Sequence, residues 1–123
     1  MRGLVLVLAL AACATHAPSG PLPVRAYRVL IEGRDSLSEA LARALVERGV
    51  AVERHVRGGG PRAAALVTFT FRDPAGPRLF GARLADTRSG QVVAAVSVPV
   101  DSLGNAAHAA GLLADSLLAQ PAP

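Results

Sequence analysis

Residues 27–56 read YRVLIEGRDSLSEALARALVERGVAVERHV, and the reading of this stretch decides the fold. Tyr27, Val29 and Ile31 alternate with Arg28 and Glu32, with Leu30 apolar on the outer set. That alternation predicts a first strand over 27–32, broken by Gly33. Ser36-Leu37-Ser38-Glu39 has the form of a capping box, in which Ser36 accepts from the Glu39 amide and Glu39 reaches back. Leu37, Ala40, Leu41, Ala44 and Leu45 then recur at helical spacing, and Glu39, Arg43 and Glu47 form a ladder on the opposite face. Gly49 stands where a helix C-terminus needs a residue free to turn left-handed. Residues 50–56 predict a second strand, and Glu53, Arg54 and His55 blunt it as suits a sheet edge. Strand, helix and strand in this order make a βαβ unit with parallel strands.

Towards the C-terminus the period stays at two. In 64–72, Val67, Phe69 and Phe71 fall on one face, with Thr68, Thr70 and Arg72 on the other. Asp73-Pro74-Ala75-Gly76-Pro77 is turn chemistry. Phe80, Ala82 and Leu84 point inward along 79–87 and Arg83 outward. Thr87-Arg88-Ser89-Gly90 forms a tight hairpin, and 91–100 returns with Val92, Ala94, Val96, Val98 and Val100 on one face. These three strands form an antiparallel meander, and their apolar alternation reads as core packing. Asp101 or Ser102 caps a last helix with Leu103, Ala106, Ala107, Ala110, Leu113, Ala114 and Leu117 as its stripe. Gly104 and Gly111 weaken it or let it lie close on the sheet, and Gln120-Pro121 ends it. The expected fold is α+β, a single domain of order β-α-β-β-β-β-α, with a mixed sheet and two helices packed on one face.

The chain has 123 residues, which suits one domain. With three Phe, one Tyr and no Trp, the core must come from Leu, Val and Ala. Lysine is absent, and between residues 26 and 120 eleven Arg stand against nine Asp and Glu. So small a surplus, spread along the chain, gives no electrostatic footprint for nucleic acid. A single cysteine excludes an intramolecular disulfide and a paired-cysteine zinc site.

That cysteine closes a distinctive N-terminal segment. Arg2 supplies a positive start, and residues 3–10 are almost wholly apolar. The run is too short for a spanning helix, which needs about 20 residues, but suits a secretory leader. Leu10-Ala11-Ala12-Cys13 resembles the lipobox of bacterial lipoproteins. The resemblance implies a signal peptide over 1–12, cleavage between Ala12 and Cys13, and lipid on Cys13. Two or three acyl chains would then give stable anchoring where one gives weak binding. Ala12-Cys13-Ala14 also satisfies an ordinary A-x-A rule, whose cut would discard the cysteine. Ala14 after the cysteine, in place of Asp, resembles the pattern of lipoproteins exported to the outer membrane. Residues 13–25 carry Pro18, Gly20, Pro21 and Pro23 and read as an extended tether; 26–120 is the domain and 121–123 a tail.

Few groups suggest chemistry. His16, His55 and His108 lie in the tether, an edge strand and a helix, without metal-ligand spacing. His108 and Asp115 lie two helical turns apart, which a solvated face explains. Asp35, Asp73, Asp86 and Asp101 occur singly at caps and turns. The glycine run 58–60 lacks the Lys of a phosphate loop and precedes a strand, so it reads as a flexible loop. Arg54, Arg57 and Arg62 flank it as a candidate anion-binding patch. The expectation is a non-enzyme without cofactor or metal.

Residues 79–93 contain the pattern Ala82-Arg83-Leu84, Asp86, Gly90 and Val92-Val93. This is similar to the late hairpin of envelope lipoproteins related to the curli secretion lipoprotein and the penicillin-binding-protein activator. Those also open with a βαβ unit and close with a helix. The chain lacks the extra segments that form a secretion pore in that group. A lipidated cysteine followed by strand, helix, meander and helix also resembles the lipopolysaccharide-assembly lipoprotein that plugs an outer-membrane barrel. Cys13-Ala14-Thr15 departs from the Cys-Gly start frequent there. The first resemblance implies an outer-membrane-anchored, periplasm-facing adaptor or assembly factor for another envelope protein, meeting it through a sheet edge or the outer sheet face. The second implies a binder of lipid or glycan acting through Arg54, Arg57 and Arg62.

Overall fold

The computed structural model describes residues 22–120 apart from 57, 59 and 61. The leader, Cys13, His16 and most of the tether, Arg57 and the 121–123 tail lie outside the described residues. A short 3₁₀ turn, Val24–Ala26, leads into β1 (Arg28–Leu30), α1 (Ser36–Glu47), β2 (Val52–Glu53), β3 (Ala63–Arg72), β4 (Arg78–Asp86) and β5 (Val92–Pro99). A second 3₁₀ turn, Val100–Ser102, precedes α2 (Ala106–Leu118). The strands form one mixed sheet in the order β2-β1-β3-β4-β5. β1 is parallel to both its neighbours, and β3, β4 and β5 are antiparallel in succession. The fold is therefore the expected α+β arrangement, with the βαβ unit at one edge and the meander at the other.

The two helices share a single core with one face of the sheet. Leu41 and Leu45 of α1 meet Leu113 and Leu117 of α2 over Val29, Ile31, Ala64, Leu84 and Ala94, all buried. Alanines at 40, 44, 110 and 114 let the layers approach closely. Removing one such leucine side chain costs about 2–5 kcal/mol, because close packing leaves a cavity behind. Val24 is also buried, so the turn before β1 belongs to the packed body.

Several local expectations are corrected. The N-cap of α1 is Asp35, whose carboxylate accepts from the Ser38 amide at 3.2 Å and from the Ser38 hydroxyl at 2.6 Å. Asp offers two acceptor oxygens where Ser offers one, and Ser38 supplies both donors. Glu39, expected in an intrahelical ladder, pairs with Arg54 beyond β2. The cap of α2 is Asn105, which accepts from the His108 amide at 2.8 Å. Asp101 and Ser102 belong to the preceding 3₁₀ turn. Gly49 does adopt the left-handed conformation, with φ of 83°.

The strand faces differ most. Cross-strand pairing sets Leu66 opposite Leu84, Thr68 opposite Ala82 and Thr70 opposite Phe80, so this set faces the helices. Val67, Phe69 and Phe71 therefore lie on the face that no helix covers, and the reading of their alternation as core packing fails. A bulge sets the face of β5. Leu84 pairs with Ala94 and Ala85 with Val92, leaving Val93 as the extra residue. Ala94, Val96 and Val98 keep to the helix side, whereas Val92 is turned to the open face.

Candidate functional site

The open sheet face is organised by one glycine. Gly81 stands directly opposite Phe69 in the β3–β4 ladder. With no side chain at 81, the Phe69 ring folds flat across the strand, and a Cβ there would overlap it. An aromatic ring laid over a strand glycine in this way restores the burial the glycine lacks. The Arg83 guanidinium lies 4.9 Å from the Phe69 ring centroid, and Phe71 stacks beside Phe69 at 5.7 Å between centroids. Such a cation–π contact contributes about 0.5–1 kcal/mol at an exposed site. The result is a pre-positioned aromatic pair on a largely bare surface: Val67 is 46% exposed and Phe71 40%. A shallow depression of about 360 Å³ continues the same face towards β1, lined by Leu30, Val56, Ala63 and Ala65 with Glu32 and Glu53 at its rim.

The other end of β4 is tied down by a buried carboxylate. Asp86 Oδ2 accepts from the Tyr27 hydroxyl at 3.0 Å and faces Arg62 Nη2 at 3.4 Å. Its Oδ1 accepts from the amides of Arg88 and Ser89, closing the β4–β5 turn. Burial pushes this carboxyl up, but the two amides, the Tyr27 hydroxyl and Arg62 outweigh it and hold it below the usual carboxylate range. Burial, together with the Asp86 carboxylate, raises Tyr27. The Tyr27 oxygen in turn accepts from the Leu22 amide at 3.2 Å, fastening the start of the described chain to the same point. With every partner internal, this cluster holds the fold together.

The sequence-derived candidates do not converge. Arg54 is turned to Glu39 and to the Gly33 carbonyl at the N-terminal end of α1. Arg62 faces Asp86. The described members of the Arg54, Arg57 and Arg62 patch are thus bound to separate acids. His55 approaches Arg34 at 3.4 Å. Asp115 pairs with Arg48, the C-cap of α1, at 2.7 Å, which holds its carboxyl low, while His108 lies in the first turn of α2 with its ring beside Gly104. Among the described residues no three His, Cys, Asp or Glu side chains gather as a metal site, and no helix is long and apolar enough to cross a membrane.

Sequence reasoning missed two features. In the sequence Asp86 reads as a solitary turn acid; no local spacing marks its partner 59 residues away at Tyr27. The Phe69–Gly81–Arg83 arrangement did leave a signal, a glycine inside a strand pattern facing an aromatic across a turn. Comparison with protein-family models, with curated proteins and with solved structures finds no match.

Proposed function

We propose that this chain is a lipid-anchored, periplasm-facing lipoprotein of the outer membrane, acting as a non-enzymatic adaptor or assembly factor for another envelope protein. The observation that carries the adaptor reading is the uncovered sheet face bearing Val67, Phe69 and Phe71. Exposed apolar residues grouped on one rigid face mark an interaction site more often than a catalytic one. The anchoring half of the proposal rests on Leu10-Ala11-Ala12-Cys13. A non-enzymatic role accords with Arg54, Arg62, Asp86 and Asp115 each being taken up in an internal ion pair.

The test is a photo-reactive phenylalanine analogue placed at Phe71 in living cells. The expected product is one discrete adduct with an envelope protein, absent when the analogue replaces Arg43 on the helix side. Adducts with lipopolysaccharide in place of protein would favour the lipid-binding alternative. No adduct above background at Phe71 or Val67 would sink the adaptor reading.

A further inference from the structure

Both faces of the sheet are apolar, and helices cover only one. In the four cross-strand rows from Ala65 to Phe71, the open face of β3, β4 and β5 holds two polar side chains, Arg83 and Ser97. β1 extends this face through Leu30, which pairs with Ala65, and Glu32 follows two residues further on at the rim of the depression. With β1, β3, β4 and β5 about 4.8 Å apart, the face is about 19 Å wide and about 30 Å long, or about 600 Å² in flat projection. An apolar patch of this size marks an interaction site, and two of them brought together bury about 1,200 Å², enough for a specific interface. The two charges on it are placed for a particular occupant. Glu32 stands on the β1 side of β3 and Arg83 on the β4 side, both near the level of Val67. Neither belongs to an ion pair among the described residues. A two-fold axis running along β3 between two such faces carries the β1 side of one copy over the β4 side of the other. Glu32 of each copy then meets Arg83 of the other, and Val67, Phe69 and Phe71 meet their counterparts close to the axis. Sheets stacked about 10 Å apart, with strands within about 30° of each other, pack in this way. An axis across the strands would instead set Glu32 over Glu32 and Arg83 over Arg83.

We infer that a second copy of this chain covers the open face, sheet against sheet, until another envelope protein takes its place. The inference goes beyond the adaptor reading and rests on its anchoring half, which puts both chains on one membrane surface. The axis along β3 suits that placement. Leu22, where a tether from Cys13 would join, is bonded beside Asp86, and rotation about β3 leaves this end of the sheet pointing the same way in both copies. An axis across the strands would send the two tethers in opposite directions. The pair makes a four-layer body, with helices outside and two sheets within. An adaptor closed in this way exchanges one cover for another and keeps Val67, Phe69 and Phe71 out of water in between.

The test is sedimentation equilibrium of the full chain, purified in detergent at matched solvent density. The unaltered chain should form dimers with a micromolar dissociation constant. Glu32→Arg and Arg83→Glu, each alone, should weaken the dimer about tenfold, because two facing pairs become like-charged. An equal mixture of these two variants should associate as the unaltered chain does, since opposite charges face each other again in the mixed dimer. Val67→Asp, close to the axis, should leave a monomer. All three positions are exposed, and circular dichroism checks that each variant folds. An unaltered chain that stays monomeric at about 100 µM would overturn the inference. So would a dimer indifferent to the single charge reversals, or a mixture no more associated than its parts. A monomer that still yields an adduct with another protein from Phe71 in cells would remove the second copy and leave the adaptor reading standing. A charge-sensitive dimer without that adduct would do the reverse.

Discussion

Asp86 and Gly81, five residues apart on one strand, do opposite things with their neighbours. Asp86 gathers partners from three parts of the chain, and its carboxyl is held low in the fold. A depressed carboxyl stabilises the protein above its unfolded value near 4, and that contribution is lost as pH falls through the folded value. Asp86→Asn should therefore destabilise by about 2–3 kcal/mol at pH 7 and should flatten the decline in stability below about pH 4. Urea titrations at several pH values check both parts; an unchanged acid limb would show that Asp86 does not govern it. Gly81 works by what it lacks. Gly81→Ala should cost about 1–3 kcal/mol by pushing the Phe69 ring off the strand. Most of that cost should vanish in a Phe69→Ala background, which a double-mutant cycle measures.

At the scale of elements, the two sheet edges are protected differently. β2 is only two residues long. β5 is longer, and the Gln120 side chain bonds both the amide and the carbonyl of Ala95 on its outer edge. This amide occupies a position another strand could take. Gln120→Ala should lower stability by about 0.5–1.5 kcal/mol and raise self-association, read by thermal melting and light scattering. Gly111 in α2 has ordinary space for a methyl group beside Arg48, so Gly111→Ala should stabilise by about 0.5–1 kcal/mol. Destabilisation instead would show that α2 sits closer to α1 than described. Element order, the helices and the parallel βαβ unit were legible because α1 repeats every three to four residues and the strands every two. The faces were less so. Period two says that Val67, Phe69 and Phe71 lie together, but not on which side, since both sides of β3 carry residues that could be covered. The β5 bulge inserts Val93 and shifts Val92 by one face, which alternation alone conceals. Caps were displaced by one to four residues because Asp35 and Asn105 outcompete the nearby serines and aspartate for the first-turn amides.

At the scale of the whole molecule, the described chain begins beside Asp86, and the β3–β4 hairpin stands at the other end of β4. Cys13→Ala should abolish acyl labelling and release the protein from membranes in fractionated cells. Retention of the variant would mean that Leu10 to Cys13 ends an ordinary leader.

The placement of β1 has a mechanical meaning. It lies between β2 and β3 and runs parallel to both, and the chain enters it from the Leu22 side. Tension between an anchored N-terminus and a partner held at Phe71, beside the hairpin, would draw β1 and β3 apart lengthwise, along their own axes. The ladder bonds on both flanks of β1 would then be strained simultaneously in shear, instead of being unzipped one by one. Pulling in an optical trap between residues 22 and 75 should accordingly need more force than pulling between 75 and 120, which can peel β5 from its edge. A small domain strung this way resists being torn from its mooring while its cargo tugs.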